Sequence, residues 1–193
     1  MERSQALLIR GFATQHDWEA WLAEHYADPT GIWLKIAKKA TGTHSISYAE
    51  ALEGALCYGW IDGQKAAFDE QYWLQKFTPR RPKSVWSQIN RDKANALIEA
   101  GRMQPSGLRQ VDLARADGRW DAAYAGQSGA TVPDDLQEAL DNNALARDFF
   151  LTLNRVNRYA IIFRVQTAKK AETRAAKIQQ FVEMLAKGEK IYP

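Results

Sequence analysis

The order of apolar and polar positions divides the chain into a mixed first part and a helical second part. In "TQHDWEAWLAEHYADP", Trp18, Trp21, Leu22 and His25 recur at helical spacing. Thr14 is placed to cap this segment with Asp17 three residues on, and Asp28-Pro29 stops it. In "GIWLKIAKK", Ile32, Leu34 and Ile36 alternate with Trp33, Lys35 and Ala37, the period of a half-buried strand. Ser47 and Glu50 form a capping box for the helix in "YAEALEGALCYG", whose apolar stripe is Leu52, Ala55 and Leu56 and whose stop is Gly59. A short strand is expected from Ile61. A longer one is expected in "EQYWLQKFTP", with Trp73, Gln75 and Phe77 on one face. Ser84 or Ser87 can cap a helix that closes at Gly101, and another helix is expected over 106–116, stopped by Gly118.

"YAGQSGATVP", with its glycines and proline, reads as a linker. Beyond it the pattern is helical throughout: one helix opening at Asp134 and Asp135, then helices over 143–154, 155–164 and 167–187. In the last, Ala171, Ala175, Ile178, Val182 and Leu185 make one stripe, expected to face inward. The fold class is α+β, with a small mixed sheet and helices in the N-terminal part and a helical bundle in the C-terminal part. The expected division is 1–125 for the first and 133–193 for the second, docked on it. Alternation of strands with helices leaves sheet order and direction open.

Composition narrows the class. The chain has 193 residues, 46% hydrophobic and 25% charged, ordinary for a soluble globular protein. Its single cysteine, Cys57, excludes an intrachain disulfide. The apolar run Ala6–Ile9 is too short for a signal-peptide core, and nothing approaches the roughly 20 apolar residues of a spanning helix. The expectation is a cytoplasmic protein without membrane insertion. His16, His25 and His44 lack metal-ligand spacing, so no metal is expected, and no phosphate loop or nucleophile elbow implies a cofactor or a known catalytic set. Cys57, in a helix, and His25, on an apolar helix face, read as packing residues.

Charge is uneven. Between Lys76 and Arg109 stand eight basic residues and two acids; between Asp134 and Asp148 stand five acids and one base. The first segment is either a solvated face or an anion or nucleic-acid surface. Within and before it lies the stretch richest in candidate chemistry, "CYGWIDGQK" followed by "FTPRRPKSVWSQINR". Asp62, just past a helix end, needs a donor, and Arg80 and Arg81, held between Pro79 and Pro82, carry the planar forks that suit a carboxylate. One reading is an Asp–Arg clamp between two loops. The other is that one arginine pairs with Asp62 while its neighbour faces a ligand anion, with Ser84, Ser87 and Asn90 completing the pocket. Trp60 and Trp86 flank this set, are expected to be buried, and complete the candidate ligand-binding group Trp60, Asp62, Arg80, Arg81, Ser84, Trp86, Ser87 and Asn90.

"YAEALEGALCYGWIDGQ", "FTPRRPKSVWSQINR", "LIEAGRMQPSGL", "ADGRW" and the closing "AKKAETRAAKIQQFVEMLAKG" resemble the signatures of the YdeI/OmpD-associated, or bacteriocin-protection, family over roughly Gly31 to Gly188. The resemblance implies stress or bacteriocin protection and porin association. It brings no reaction, cofactor or catalytic residue, and it implies a periplasmic setting where the sequence reads as cytoplasmic. Three functions follow. The first is a non-enzymatic binding module for a small anionic ligand or a protein partner. The second is an enzyme acting on a small anionic substrate through Asp62 with Arg80 or Arg81. The third is nucleic-acid binding through 76–109.

Overall fold

The computed structural model describes residues 8–126 and 129–193. Residues 1–7 and, within the expected linker, Gln127 and Ser128 lie outside the described residues. The protein is α+β, a four-stranded mixed sheet with helices followed by helices alone. It divides into two compact units, one holding 8–86 and 90–123, the other 87–89 and 124–193.

In the first unit, β1 (Leu8–Gly11), α1 (Gln15–His25) and β2 (Ile32–Ala37) form a parallel βαβ turn of chain. β1 has no sequence forecast because all four of its residues are exposed, so it lacks alternation. α1 starts at the expected capping box, with Asp17 N donating to Thr14 Oγ1 and Thr14 N to Asp17 Oδ2, each 3.2 Å. β2 alternates buried and half-buried residues as expected. The capping box of Ser47 and Glu50 opens α2 (Tyr48–Cys57). Gly59, at φ 81°, ends it in a left-handed conformation that glycine adopts without steric penalty.

β3 (Trp60–Ala67) and β4 (Tyr72–Pro79) make an antiparallel hairpin, and the sheet order is β1-β2-β4-β3. β3 is longer than the short strand expected from Ile61. Its period is broken by a bulge between Asp62 and Lys65, which hides it from a reading of alternation. Gln75, opposite the bulge, is fully buried; its Nε2 donates to Gly63 O at 2.9 Å, satisfying a carbonyl at the irregularity.

The core of this unit is aromatic. Trp18, Trp60 and Phe77 are fully buried, with Trp18 stacked on Trp21 at 5.4 Å and edge-on to Trp60 at 6.4 Å. Their indole donors are used: Trp18 Nε1 on Ala51 O at 3.0 Å and Trp60 Nε1 on Tyr26 O at 2.9 Å. His25 stacks on Trp21 at 4.3 Å, in keeping with a packing role.

α3 (Gln88–Glu99) and α4 (Pro105–Ala116) complete the helices before the linker. Gly107 of α4 lies against the end of α2, where an added Cβ would stand 2.2 Å from Cys57 O. That same carbonyl accepts from Gln104 N at 3.0 Å, so α2 and α4 meet backbone to backbone.

In the second unit, α5 (Asp134–Asp141), α6 (Ala144–Thr152), α7 (Arg155–Gln166) and α8 (Ala171–Ala186) enclose Leu136, Leu140, Phe150, Ile161, Val165 and Leu185. Asn143 and Asn154 cap α6 and α7 through their side-chain oxygens. Tyr124 O accepts from Gln88 N at 2.9 Å, which attaches 87–89 to this unit. The expected stripe on the last helix is only half right. Ile178 and Leu185 are buried, but Ala171 and Ala175 are exposed, and Phe181 takes the inward position instead. The helix begins at Ala171 rather than 167, since Thr167 closes α7.

Candidate ligand-binding site

The proline-bounded loop after β4 is built around two buried arginines. Arg80 is 5% exposed. Its backbone N–H extends the sheet by donating to Gly59 O at 3.0 Å, and its Nη1 donates to Val85 O at 3.2 Å. Its guanidinium lies over Trp86, 3.4 Å from the ring centroid, and Trp86 in turn meets Trp120 edge-on at 4.8 Å. Arg119, also 5% exposed, grips both carboxylate oxygens of Asp117 at 2.7 and 2.8 Å, and its Nη1 donates to Ser84 O at 2.7 Å. Two successive loop carbonyls, Ser84 and Val85, are thus each held by a buried guanidinium, as an irregular segment requires.

Arg81 has a different fate. It is exposed; its backbone N–H donates to Ser84 Oγ at 2.9 Å, and Ser84 N to Arg81 O at 2.9 Å. No side-chain partner of Arg81 occurs among the described residues. Ser84 therefore closes a turn rather than capping α3, which starts four residues later. Trp60 and Trp86 are buried, at 0% and 1%, and Asn90 is buried at 8%. Ser87 bridges to Tyr124.

Asp62 is the main correction. It is the third residue of β3, not a residue beyond a helix end, and its partner is a tyrosine. Tyr48 Oη donates to Asp62 Oδ2 at 2.7 Å. The bulge places Lys65 opposite Gln75, while Asp62 stands opposite Phe77, two residues further along β4 and on the same face. Lys65 Nζ accordingly lies 5.3 Å from the Tyr48 ring and 5.1 Å from the Trp73 ring. Burial, then the hydrogen bond to Asp62 and its charge, push the Tyr48 phenol well above its ordinary range. No local pattern marks this pairing, because the partners are 14 residues apart on a helix start and a bulged strand.

The basic segment 76–109 is not a continuous free stripe. Arg80 is buried, Arg91 meets Asp92 at 3.2 Å, Lys93 meets Glu53 at 3.9 Å, and Arg102 bridges Glu19 and Glu53 at 2.9 Å each. Cys57 is buried and its thiol is pushed up to about 11, chiefly by that burial, which disfavours the nucleophilic thiolate. Among the described residues no group of three or more His, Cys, Asp or Glu is placed to hold a metal ion, and no helix is long and apolar enough to cross a membrane.

Comparison with known proteins divides the chain. No curated protein and no solved structure matches it. Residues 129–188 match the family described as "Bacteriocin-protection, YdeI or OmpD-Associated", the family that the sequence resembles. That match covers the closing helices. The GWIDG and FTPRR motifs, read from the sequence as part of the same likeness, fall under a second family whose match runs over residues 10–110. This second match takes in more than half of the chain, and the protein belongs to that family, described as "Domain of unknown function (DUF8412)".

Proposed function

We propose that the protein is a non-enzymatic binding module, serving stress or bacteriocin protection, that accepts an anion at the loop carrying Arg81. The observation that carries this reading is the divergence of two adjacent arginines. Arg80 is spent on Val85 O and Trp86, inside the protein, whereas Arg81 presents its guanidinium to solvent on a turn stiffened by Pro79, Pro82 and the Ser84 hydroxyl. An exposed planar fork on a rigid turn recognises carboxylate or phosphate with little ordering cost. The match of 129–188 to the bacteriocin-protection family supports the biological setting. The enzymatic alternative needs Asp62 beside Arg80 or Arg81, and Asp62 is engaged by Tyr48 instead.

The test is a thermal-melting series with inorganic phosphate and with a short acidic peptide, on the wild type and on Arg81→Ala. Anion-dependent stabilisation that the variant loses supports the reading, by mass action. Equal stabilisation of both proteins removes Arg81 from the function.

A further inference from the structure

The second unit contains a cavity of about 420 Å³, a size suited to a small organic ligand. Its wall carries three arginines: Arg147 from α6, and Arg155 and Arg158 from the first turn of α7. Its floor is apolar, with Leu140, Phe150 and Ile162 buried beneath the charges. No Asp or Glu lines it among the described residues. The five acids between Asp134 and Asp148, which gave this region its acidic character in the sequence, lie elsewhere. Asp135 is committed to Arg174, and Asp148, largely exposed, touches Arg147 at 3.1 Å.

The placement of Arg155 and Arg158 is unfavourable for the fold alone. They stand three residues apart, on one face of one helical turn, where like charges repel. They also stand at the positive end of the α7 dipole, whose first turn holds no acid to compensate. Neither has an ion-pair partner among the described residues. A local choice that opposes helix stability, repeated twice toward one cavity, is what a binding requirement produces.

The geometry points to a site for a phosphorylated small molecule with an apolar or aromatic body. Three guanidiniums, of which Arg147 meets Asp148 while Arg155 and Arg158 have no carboxylate partner among the described residues, match a doubly charged phosphoryl group, which accepts several bidentate arginine hydrogen bonds. The positive end of α7 adds to the same field. The apolar floor takes the body of the ligand. Tyr159, whose hydroxyl donates to Ala125 O at 3.3 Å, is held as part of the wall. The site lies wholly within the second unit and stands or falls independently of the Arg81 loop.

Isothermal titration of the full chain with 1-naphthyl phosphate, inorganic phosphate and 1-naphthol tests it. The expected order is saturable binding of 1-naphthyl phosphate, at least tenfold weaker binding of inorganic phosphate, and none of 1-naphthol. The double variant R155Q/R158Q should bind 1-naphthyl phosphate at least tenfold more weakly while melting at or above the wild-type temperature, because the repulsion is gone. R147Q, on the other helix, should weaken binding as well. Absence of saturable binding to the wild type overturns the proposal. So does wild-type affinity in both R155Q/R158Q and R147Q, or equal affinity for 1-naphthol.

Discussion

The guanidinium of Arg80 lies 3.4 Å from the ring centroid of Trp86, so that one of the most polar side chains of the loop covers one of its largest apolar ones. The stack satisfies two requirements at once. It shields the indole, and it keeps the guanidinium beside the Val85 carbonyl. Arg80→Ala should destabilise the protein by about 2–4 kcal/mol, the sum of a desolvated cation–π contact and a charged hydrogen bond. Trp86→Ala should cost about 3–5 kcal/mol, the range for a buried large aromatic. Arg81→Ala should change stability by less than about 0.5 kcal/mol. Urea unfolding of the three variants checks the ranking, and an Arg81 effect as large as that of Arg80 would refute the division of roles.

Gly107→Ala should be damaging although alanine favours helices. The new Cβ would stand 2.2 Å from Cys57 O, which is backbone and itself holds Gln104 N, so neither partner can turn aside. A loss of about 1–3 kcal/mol is expected, against a gain of about 1 kcal/mol from propensity at an unobstructed site. Gly129, with nothing within 4 Å of its would-be Cβ, is the control. Gly129→Ala should show no comparable loss in the same melts.

Tyr48 should resist ionisation in alkali. Its phenol is raised by burial and by the Asp62 carboxylate, so the folded protein holds the proton after the unfolded chain has released it at about pH 10. The associated stability is present below pH 10 and is lost as pH rises further toward the folded value. Tyr48→Phe should flatten that loss and, at neutral pH, cost about 1–2 kcal/mol by leaving Asp62 without its donor. Ultraviolet titration, with chemical melts at pH 8 and above 10, separates these effects.

In the second unit Arg174 joins Asp135 through Nε and Nη2, at 2.5 and 2.7 Å, and its Nη1 donates to Val165 O at 3.0 Å. The hydrogen bond from Arg174 holds the Asp135 carboxyl below its ordinary range. Its contribution is therefore present above about pH 4 and is lost as pH falls through the depressed value. Solvent screening keeps the effect small, since the Asp135 side chain is 44% exposed. Asp135→Asn should cost no more than about 1 kcal/mol at neutral pH. The gap between variant and wild type should close as both are acidified.

Local signals carried most of the fold. Thr14 and Ser47 announce helix starts through side-chain chemistry that acts within three residues, and both cap as expected; Asn143 and Asn154 cap α6 and α7 in the same way, although the pattern reading places both inside one helix over 143–154. β2 is legible because its alternation matches one buried face. β1 is not, because its stability comes from pairing with β2 rather than from burial. At the candidate site Trp60 and Trp86 are buried as expected, and one arginine turns inward while its neighbour faces solvent, but Arg80 is held by Val85 O and Trp86 and not by the expected Asp62. The pattern reading missed Arg119 and Asp117, which hold the loop from 35 residues away at Ser84. Their sign was the "ADGRW" stretch, where an acid, a glycine and a tryptophan beside an arginine mark a tight, aromatic-backed turn. Likewise Ala171 and Ala175 satisfy a packing period while facing solvent, since small side chains fit either environment.

The bulge in β3 acts as a phase shift. A regular strand would give Asp62 and Gln64 the same side; with one residue inserted, Lys65 takes the register position that Gln64 would have held. The parity of everything from Lys65 to Ala67 is therefore set by a single irregular step, held by the Gln75 amide. Deleting Gly63 would not merely shorten the strand: it would reset the alternation, leave the Gln75 amide without the Gly63 carbonyl, and force the remaining residues either to exchange sides or to slip along β4. The tip of the hairpin is pinned by Asp69, whose Oδ1 accepts from the backbone N–H groups of Gln71 and Tyr72 at 2.9 and 2.7 Å, so slippage is opposed from the far end. Length variation in this hairpin should accordingly be tolerated in pairs of residues, or at the tip beyond Ala67, and not one residue at a time within it.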